Sequence, residues 1–292
     1  MSAFEIVSAE VAAAGLGFPE GPLVLAPGRV AWVEQYAGRV AVLEDGEART
    51  LAHVGGCPNG LALAPDGRLL VAQNGGKLGD WHAPEQRPPS IVALDPESGA
   101  AEVVATHASG RPLRRPNDLC FGPDGAIWFT DPGDYDPDGD VRGWICRHAD
   151  GATEIVRELG NVYPNGIGVD GAGRLLWVET HSHLLHALGD DGDALVADLG
   201  PAGTGDGFAV AADGTVVVAS VFSGGLHVVA PGADGARAVA QVSWADDLIL
   251  SNCAFDGSTL WATDATTAWD RSDDHAGRLW RLETNLDGGS AR

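Results

Sequence analysis

Six polar residues, four of them followed by glycine, head short runs of alternating apolar residues. They are Glu20-Gly21, Asn59-Gly60, Asn117-Asp118, Asn165-Gly166, Asp206-Gly207 and Asn252-Cys253. All six leading side chains offer oxygen, two as carboxylates and four as carboxamides. Brought to one place, such a set suits a hard divalent ion: Ca²⁺ takes six to eight oxygen ligands, and two carboxylates balance its charge. Zn²⁺, Mn²⁺ and Mg²⁺ remain open for the same set. Taken singly, an Asn or Asp before Gly is an ordinary turn former, and a polar channel mouth can be simply hydrated. Six in register favour a shared centre.

Other catalytic chemistries find less support. His181 and His183 stand two apart with no third ligand at zinc spacing; His181 is a candidate for substrate binding or proton transfer. There is no G-x-S-x-G nucleophile elbow. Cys57, Cys120 and Cys253 fall beside the leading residues and read as small apolar packing groups. Four cysteines without a framework or CxxC spacing argue against disulfide or zinc architecture.

Each leading residue opens the same block: a short apolar run, a D-G or similar turn, and a second apolar run, as in NGLALAPDGRLLVA from Asn59. D-G between apolar runs is a strong hairpin signal. Further β runs fill the intervals, at 91–95, 101–106, 144–148, 153–159, 183–188, 225–230 and 277–283. Six copies at a period of roughly 46 residues are the signature of a β-propeller. The expected fold is therefore all-β: one domain over residues 1–292, a six-bladed propeller with four strands per blade. Phe4 to Val11 is expected to supply the outer strand of the last blade. In this fold the innermost strands line the central channel, so the six leading residues would ring one mouth of it. A β-sandwich also has many short strands, but it does not predict one block recurring in register.

Insertions mark the same mouth. GKLGDWHAPEQRPPS (76–90), DPGDYDPDGDVRG (131–143) and DATTAWDRSDDHAG (264–277) follow second strands, so Trp81, His82, Tyr135 and Trp269 are candidates to line a substrate entrance. The 292 residues carry 18 Lys+Arg against 41 Asp+Glu, a net charge of −23. That excludes nucleic acid as a natural partner and disfavours multiply anionic substrates. The N-terminal residues lack a basic signal region and no run is long and apolar enough to span a bilayer; a soluble, cytoplasmic protein that engages no membrane is expected.

At these motifs the sequence resembles the senescence marker protein / gluconolactonase / luciferin-regenerating family of six-bladed propellers, and more distantly paraoxonases and diisopropyl fluorophosphatase. FPEGP (18–22), RPNDLCFGPDGAIWFTDP (115–132), YPNGIGVDGAGRLLWVETHSH (163–183), GDGFAVAADG (205–214) and SNCAF (251–255) carry the resemblance in order. It implies one divalent cation, often calcium, at the channel mouth of a hydrolase acting on lactones or related esters. Its metal ligands map to Glu20, Asn117, Asn165 and Asp206. Asn59 and Asn252 match no invariant ligand and fall beside the ligands or against substrate. Arg115 of R-x-N is implied as a substrate contact, with a surface arginine as the equal alternative. GTGDG before Asp206 departs from the usual PDG.

In such a site Asp206 is the candidate general base, or the direct nucleophile, and Glu20 a pure ligand. The expected substrate is a small neutral lactone. The same centre would also serve phosphotriester hydrolysis or a pathway-specific rearrangement, and a propeller without catalysis can be a binding scaffold.

Overall fold

A computed structural model describes residues 4–288 other than 80, 191, 232–236 and 266–275. Among the described residues there is no helix; six four-stranded antiparallel sheets account for the architecture. Blade 1 runs Pro19–Ala26, Arg29–Glu34, Arg39–Glu44 and Glu47–His53, from the axis outward. Blade 2 is Pro58–Leu63, Leu69–Gln73, Ser90–Leu94 and Ala101–Ala105; blade 3 is Leu119–Phe121, Ile127–Asp131, Trp144–Ala149 and Ala152–Glu158. Blade 4 is Pro164–Val169, Leu175–Glu179, Leu184–Ala187 and Ala194–Asp198; blade 5 is Gly205–Val210, Val216–Ser220, Gly225–Pro231 and Arg237–Val242. Blade 6 takes Leu250–Asp256, Thr259–Asp264 and Gly277–Thr284 from the end of the chain and Ile6–Leu16 from its beginning. This first strand is longer than the sequence expectation of 4–11 and pairs antiparallel from Ile6↔Thr284 to Leu16↔Gly277. The innermost strands touch in cyclic order, the sixth against the first, so the ring is closed.

The hydrophobic core is divided into spokes, one between each pair of blades. Trp32 and Val30 of blade 1 meet Trp261 and Leu279 of blade 6; Val33 and Val40 meet Leu61 and Leu69 of blade 2. Phe129 and Trp144 close the blade 2–3 spoke, and Trp128 and Ile145 pack on Trp177 of blade 4. Val178 and Leu185 meet Val216 and Val218, and Leu226 meets Leu250 and Leu260. Second strands are buried on both faces, as in Leu69–Gln73, which is why they read as continuous apolar runs and not as alternating ones. The strands nearest the rim are largely in solvent, as in Glu47–His53, where only Ala52 is buried. Cys253 belongs to the blade 5–6 spoke and Cys120 packs against the blade 3–4 spoke. Burial pushes the Cys57 and Cys253 thiols up to about 12 and those of Cys120 and Cys146 upward as well, so all four are inert neutral groups at neutral pH. No helix of the described residues is long and apolar enough to cross a membrane.

Candidate functional site

The axis is built differently from the spokes. Glu20, Asn59, Asn117, Asn165, Asp206 and Asn252 stand within two residues of the starts of the six innermost strands, and all are buried. Close approach of these strands depends on the glycine that follows four of the leaders. At Gly21 (φ 51°) a Cβ would lie 2.9 Å from the Asn59 carbonyl oxygen, and at Gly207 it would lie 1.9 Å from the Asn252 side chain. A glycine in one blade is thus the seat for the leading residue of the next.

Hydroxyl groups stitch the ring from behind. Thr130 of blade 3 donates to the Asn165 carbonyl (2.8 Å), Thr180 of blade 4 to the Gly205 carbonyl (2.7 Å), and Ser251 of blade 6 to the Pro19 carbonyl (2.8 Å). Buried polar residues at the ends of second strands hold the segments that lead into the ring. Gly17 N–H donates to Glu34 (2.9 Å), Cys57 N–H to Gln73 (2.7 Å), Arg115 N–H to Asp131 (3.0 Å) and Ile249 N–H to Asp264 (3.1 Å). These groups went unread in the sequence analysis. Their signal is a polar residue closing each apolar second strand, as in WVEQ, VAQN, FTDP and ATDA.

One arc of the ring is neutral. Gln35 Nε2 donates to Asn59 Oδ1 (2.6 Å), and Asn59 Nδ2 donates to Asn117 Oδ1 (2.9 Å), which keeps a second lone pair. The other arc is acidic, and it contains a carboxylate that sequence reasoning missed. Asp118 takes the place that glycine holds in most copies of the block, and that departure was its only signal. It is buried, accepting from Leu119 N–H (2.9 Å) and Asn252 Nδ2 (3.3 Å). Burial raises its pKa to about 6. Glu20 is pushed well up by burial first and then by the charges of Asp206 and Asp118. Asp206 is pushed well up by burial and then by Asp118, with the Asn165 amide opposing. Three carboxyls therefore repel one another at the axis.

The donor set fits a hard divalent cation. Asn165 donates through Nδ2 to Thr180 Oγ1 (3.1 Å), while its buried Oδ1 has no hydrogen-bond partner. An orphaned carboxamide oxygen beside carboxylates strained by mutual repulsion is what a 2+ ion relieves. Among the described residues no three His, Cys, Asp or Glu side chains cluster closely enough to hold an ion by themselves, so carboxamide oxygens would have to complete the shell.

Above the ring the predicted entrance residues divide. Tyr135 and His181 meet edge to face at 5.0 Å, and both pack on Tyr163, at 5.1 and 5.3 Å. Tyr163, just ahead of Pro164-Asn165, was not singled out from the sequence. It stands at φ 51°, its hydroxyl meets the Asn117 carboxamide, and burial raises its pKa to about 12. The charge of Asp206 raises both tyrosine pKa values, which sets these rings beside the acidic arc. His181 Nδ1 donates to the Asn161 carbonyl (3.3 Å), leaving Nε2 as a buried lone pair without a partner; burial lowers its pKa, so the ring is neutral. Trp81 packs on Tyr36 at 4.8 Å, and His82 pairs with Lys77 in a small hairpin. Arg115, its side chain only 11% exposed, donates to Asp134 (3.0 Å) and to the Lys77 carbonyl, and its charge acts on Tyr163. Trp269 lies outside the described residues.

The SMP-30/Gluconolactonase/LRE-like region model matches residues 18–266, from the segment ahead of Glu20 to the end of blade 6's second strand. The chain belongs to this family. Among curated relatives, a gluconolactonase from Zymomonas mobilis is 27% identical over 69% of this chain and 59% of its own length. The chain thus spans less than two thirds of the curated relatives it matches. A gluconolactonase structure from Xanthomonas campestris superposes with a TM-score of 0.72 at 24% identity, covering 94% of this chain and 89% of that one. A calcium-binding regucalcin from Agrobacterium tumefaciens superposes at 0.75 and 21% identity, covering 97% and 96%.

Proposed function

We propose that this protein is a divalent-cation-dependent lactonase that opens a small neutral lactone by attack of water. The observation that carries the reading is the buried, unpartnered oxygen of Asn165 next to Asp206, whose charge is also felt at Glu20. Membership of a family that includes gluconolactonases and the likeness to a calcium-binding regucalcin support it.

Glu20, Asn117, Asn165 and Asp206 would hold the ion, Ca²⁺ by the all-oxygen donor set. When bound, such an ion supplies Lewis acidity toward a carbonyl oxygen and lowers the pKa of water. The protein does the rest. Asp206 takes the proton of the attacking water, and burial beside Asp118 makes it a stronger base than an exposed aspartate. Attack on the carbonyl carbon gives a tetrahedral adduct whose collapse breaks the ring C–O bond; the released alkoxide takes back the proton held on Asp206, and the product leaves as the hydroxy acid. Glu20 meets the Asn252 carboxamide and would be held in its ionised form by the bound cation, against the upward push of burial and of Asp206 and Asp118. His181, neutral and with Nε2 unprotonated, accepts a hydrogen bond from substrate or passes a proton outward. Asn59 and Asn252 hold Asn117 and Asp118 in place.

The test is a panel of aldonolactones, aliphatic lactones and phosphotriesters, run on chelator-stripped protein and again after Ca²⁺, Mn²⁺, Mg²⁺ or Zn²⁺ is restored. Lactone opening that vanishes on stripping and returns with a cation is the expected result. Full lactone turnover by stripped protein, or turnover of phosphotriesters alone, would sink the reading.

A further inference from the structure

The entrance loops spend their hydrogen-bond donors on their own backbone. Arg115 bridges the blade 2 and blade 3 loops, bonding the Lys77 carbonyl and the Asp134 carboxylate. Asn161 Nδ2 donates to the Asp136 carbonyl (2.8 Å) and the Gly139 carbonyl (2.8 Å). Gln86 Nε2 donates to the carbonyls of Gly76 (2.9 Å) and Ala83 (2.9 Å). Beside the exposed Asp134, Asp136, Asp138 and Asp140, what these braced loops present is aromatic surface. Tyr135, Tyr163 and His181 form a three-ring wall on blades 3 and 4, and Tyr36 with Trp81 form a pair on blades 1 and 2. Tyr135 is 46% exposed, a large aromatic face open to solvent beside the acidic arc.

We infer that this rim selects an uncharged lactone carrying an aromatic or apolar ring over a polyhydroxylated one, with Tyr135 and Tyr163 as the specificity-determining residues. A buried polyol needs a donor or acceptor for each hydroxyl, and leaving them unpaired is costly. An aromatic or apolar ring needs only faces and edges to pack against, which Tyr135, Tyr163 and His181 supply in edge-to-face and tilted arrangements. The acidic character of the chain, at net −23, further disfavours a substrate bearing a carboxylate. Arg115, whose charge is felt at Tyr163, has two of its donors taken by the Asp134 carboxylate and the Lys77 carbonyl, which limits what it can offer to substrate hydroxyls.

This inference rests on the lactonase reading, and binding separates the two. Non-hydrolysable lactams serve as probes: 3,4-dihydroquinolin-2-one for the aromatic class and gluconolactam for the polyol, titrated calorimetrically into Ca²⁺-loaded full-length protein. The aromatic lactam is expected to bind at least tenfold more tightly. Tyr135→Ala should weaken it at least fivefold and leave gluconolactam within twofold. Asp134→Ala, at an exposed position, should remove one of Arg115's two anchors and narrow the preference at least threefold. Equal affinities, a preference for gluconolactam, or an equal loss of both lactams in Tyr135→Ala would overturn the inference. Lactone turnover together with equal lactam binding removes this inference and keeps the lactonase. Selective aromatic binding without any lactone turnover removes the lactonase and leaves the rim's selectivity standing.

Discussion

The axis and the spokes of this propeller obey opposite rules. Between blades, Trp32, Phe129, Trp177, Leu226 and Leu260 are packed with other apolar side chains, and their burial is the main driving force for closing the ring. At the centre, three carboxyls are buried within reach of one another's charge. Their burial opposes folding of the cation-free chain, and it persists only because the spokes supply the stability. A region that costs stability and is supported from elsewhere is where a function resides.

The contrast breaks most sharply with isosteric changes at the axis. Asp206→Asn and Glu20→Gln are each expected to cut lactone turnover by roughly 10²–10³-fold or more. The same variants, scanned without cation, should melt no lower than the parent, because a repelling charge has gone. A large drop in melting temperature would make these residues struts.

At a spoke the outcome should invert. Leu260→Ala empties a fully buried position between blades 5 and 6 and should cost about 2–5 kcal/mol in urea denaturation. Turnover per folded molecule should be unchanged.

A pH scan sharpens the electrostatic half. The Asp118 pKa of about 6 in the folded chain lies above the roughly 3.9 of an unfolded aspartate. The native state therefore binds more protons between these values, and cation-free stability should fall as pH rises from about 4 to 6. The loss due to Asp118 alone is on the order of 2–3 kcal/mol, and Glu20 and Asp206 act in the same direction. Saturating Ca²⁺ should abolish the fall, and Asp118→Asn should flatten it. A melting temperature that climbs across this window in chelator would contradict the acidic axis.

The smallest effect belongs to the stitching. Ser251→Ala deletes the bond to the Pro19 carbonyl and should cost about 1 kcal/mol, read from the urea midpoint.

Much of this was legible in the chain. The repeated block located all six innermost strands, because a D-G turn and apolar runs depend on local geometry. It also brought the six leading residues to the entries of those strands, where all are buried; the register shifts around Glu20, Asn59, Asn165, Asp206 and Asn252 are not legible from strand alternation. Phe4 to Val11 as the outer strand of the last blade was right in place and short in extent. Asp118 escaped notice because the reading credited the first residue of each pair and treated the second as turn filler; its importance depends on neighbours over a hundred residues away, such as Asn252. Tyr163 opens the YPNG motif but was passed over because only Asn165, two residues on, was credited with chemistry. The engagement of Arg115 depends on how two insertions dock against each other, which no local pattern encodes. The cation, the role of Asp206 and the substrate remain proposals on top of that frame.

The toroid is fastened by its own two ends, with Ile6–Leu16 laid against Gly277–Thr284 like a clasp on a hoop. Glu20 comes only four residues after that clasp, and Ser251 grips the backbone at Pro19 from the far side of the join. Tension on the amino terminus is thus passed straight to a candidate ligand. Trimming a few residues from that end, or fusing a bulky partner there, would loosen the hoop at the point where the acidic centre is assembled, before any of the other five staves was disturbed.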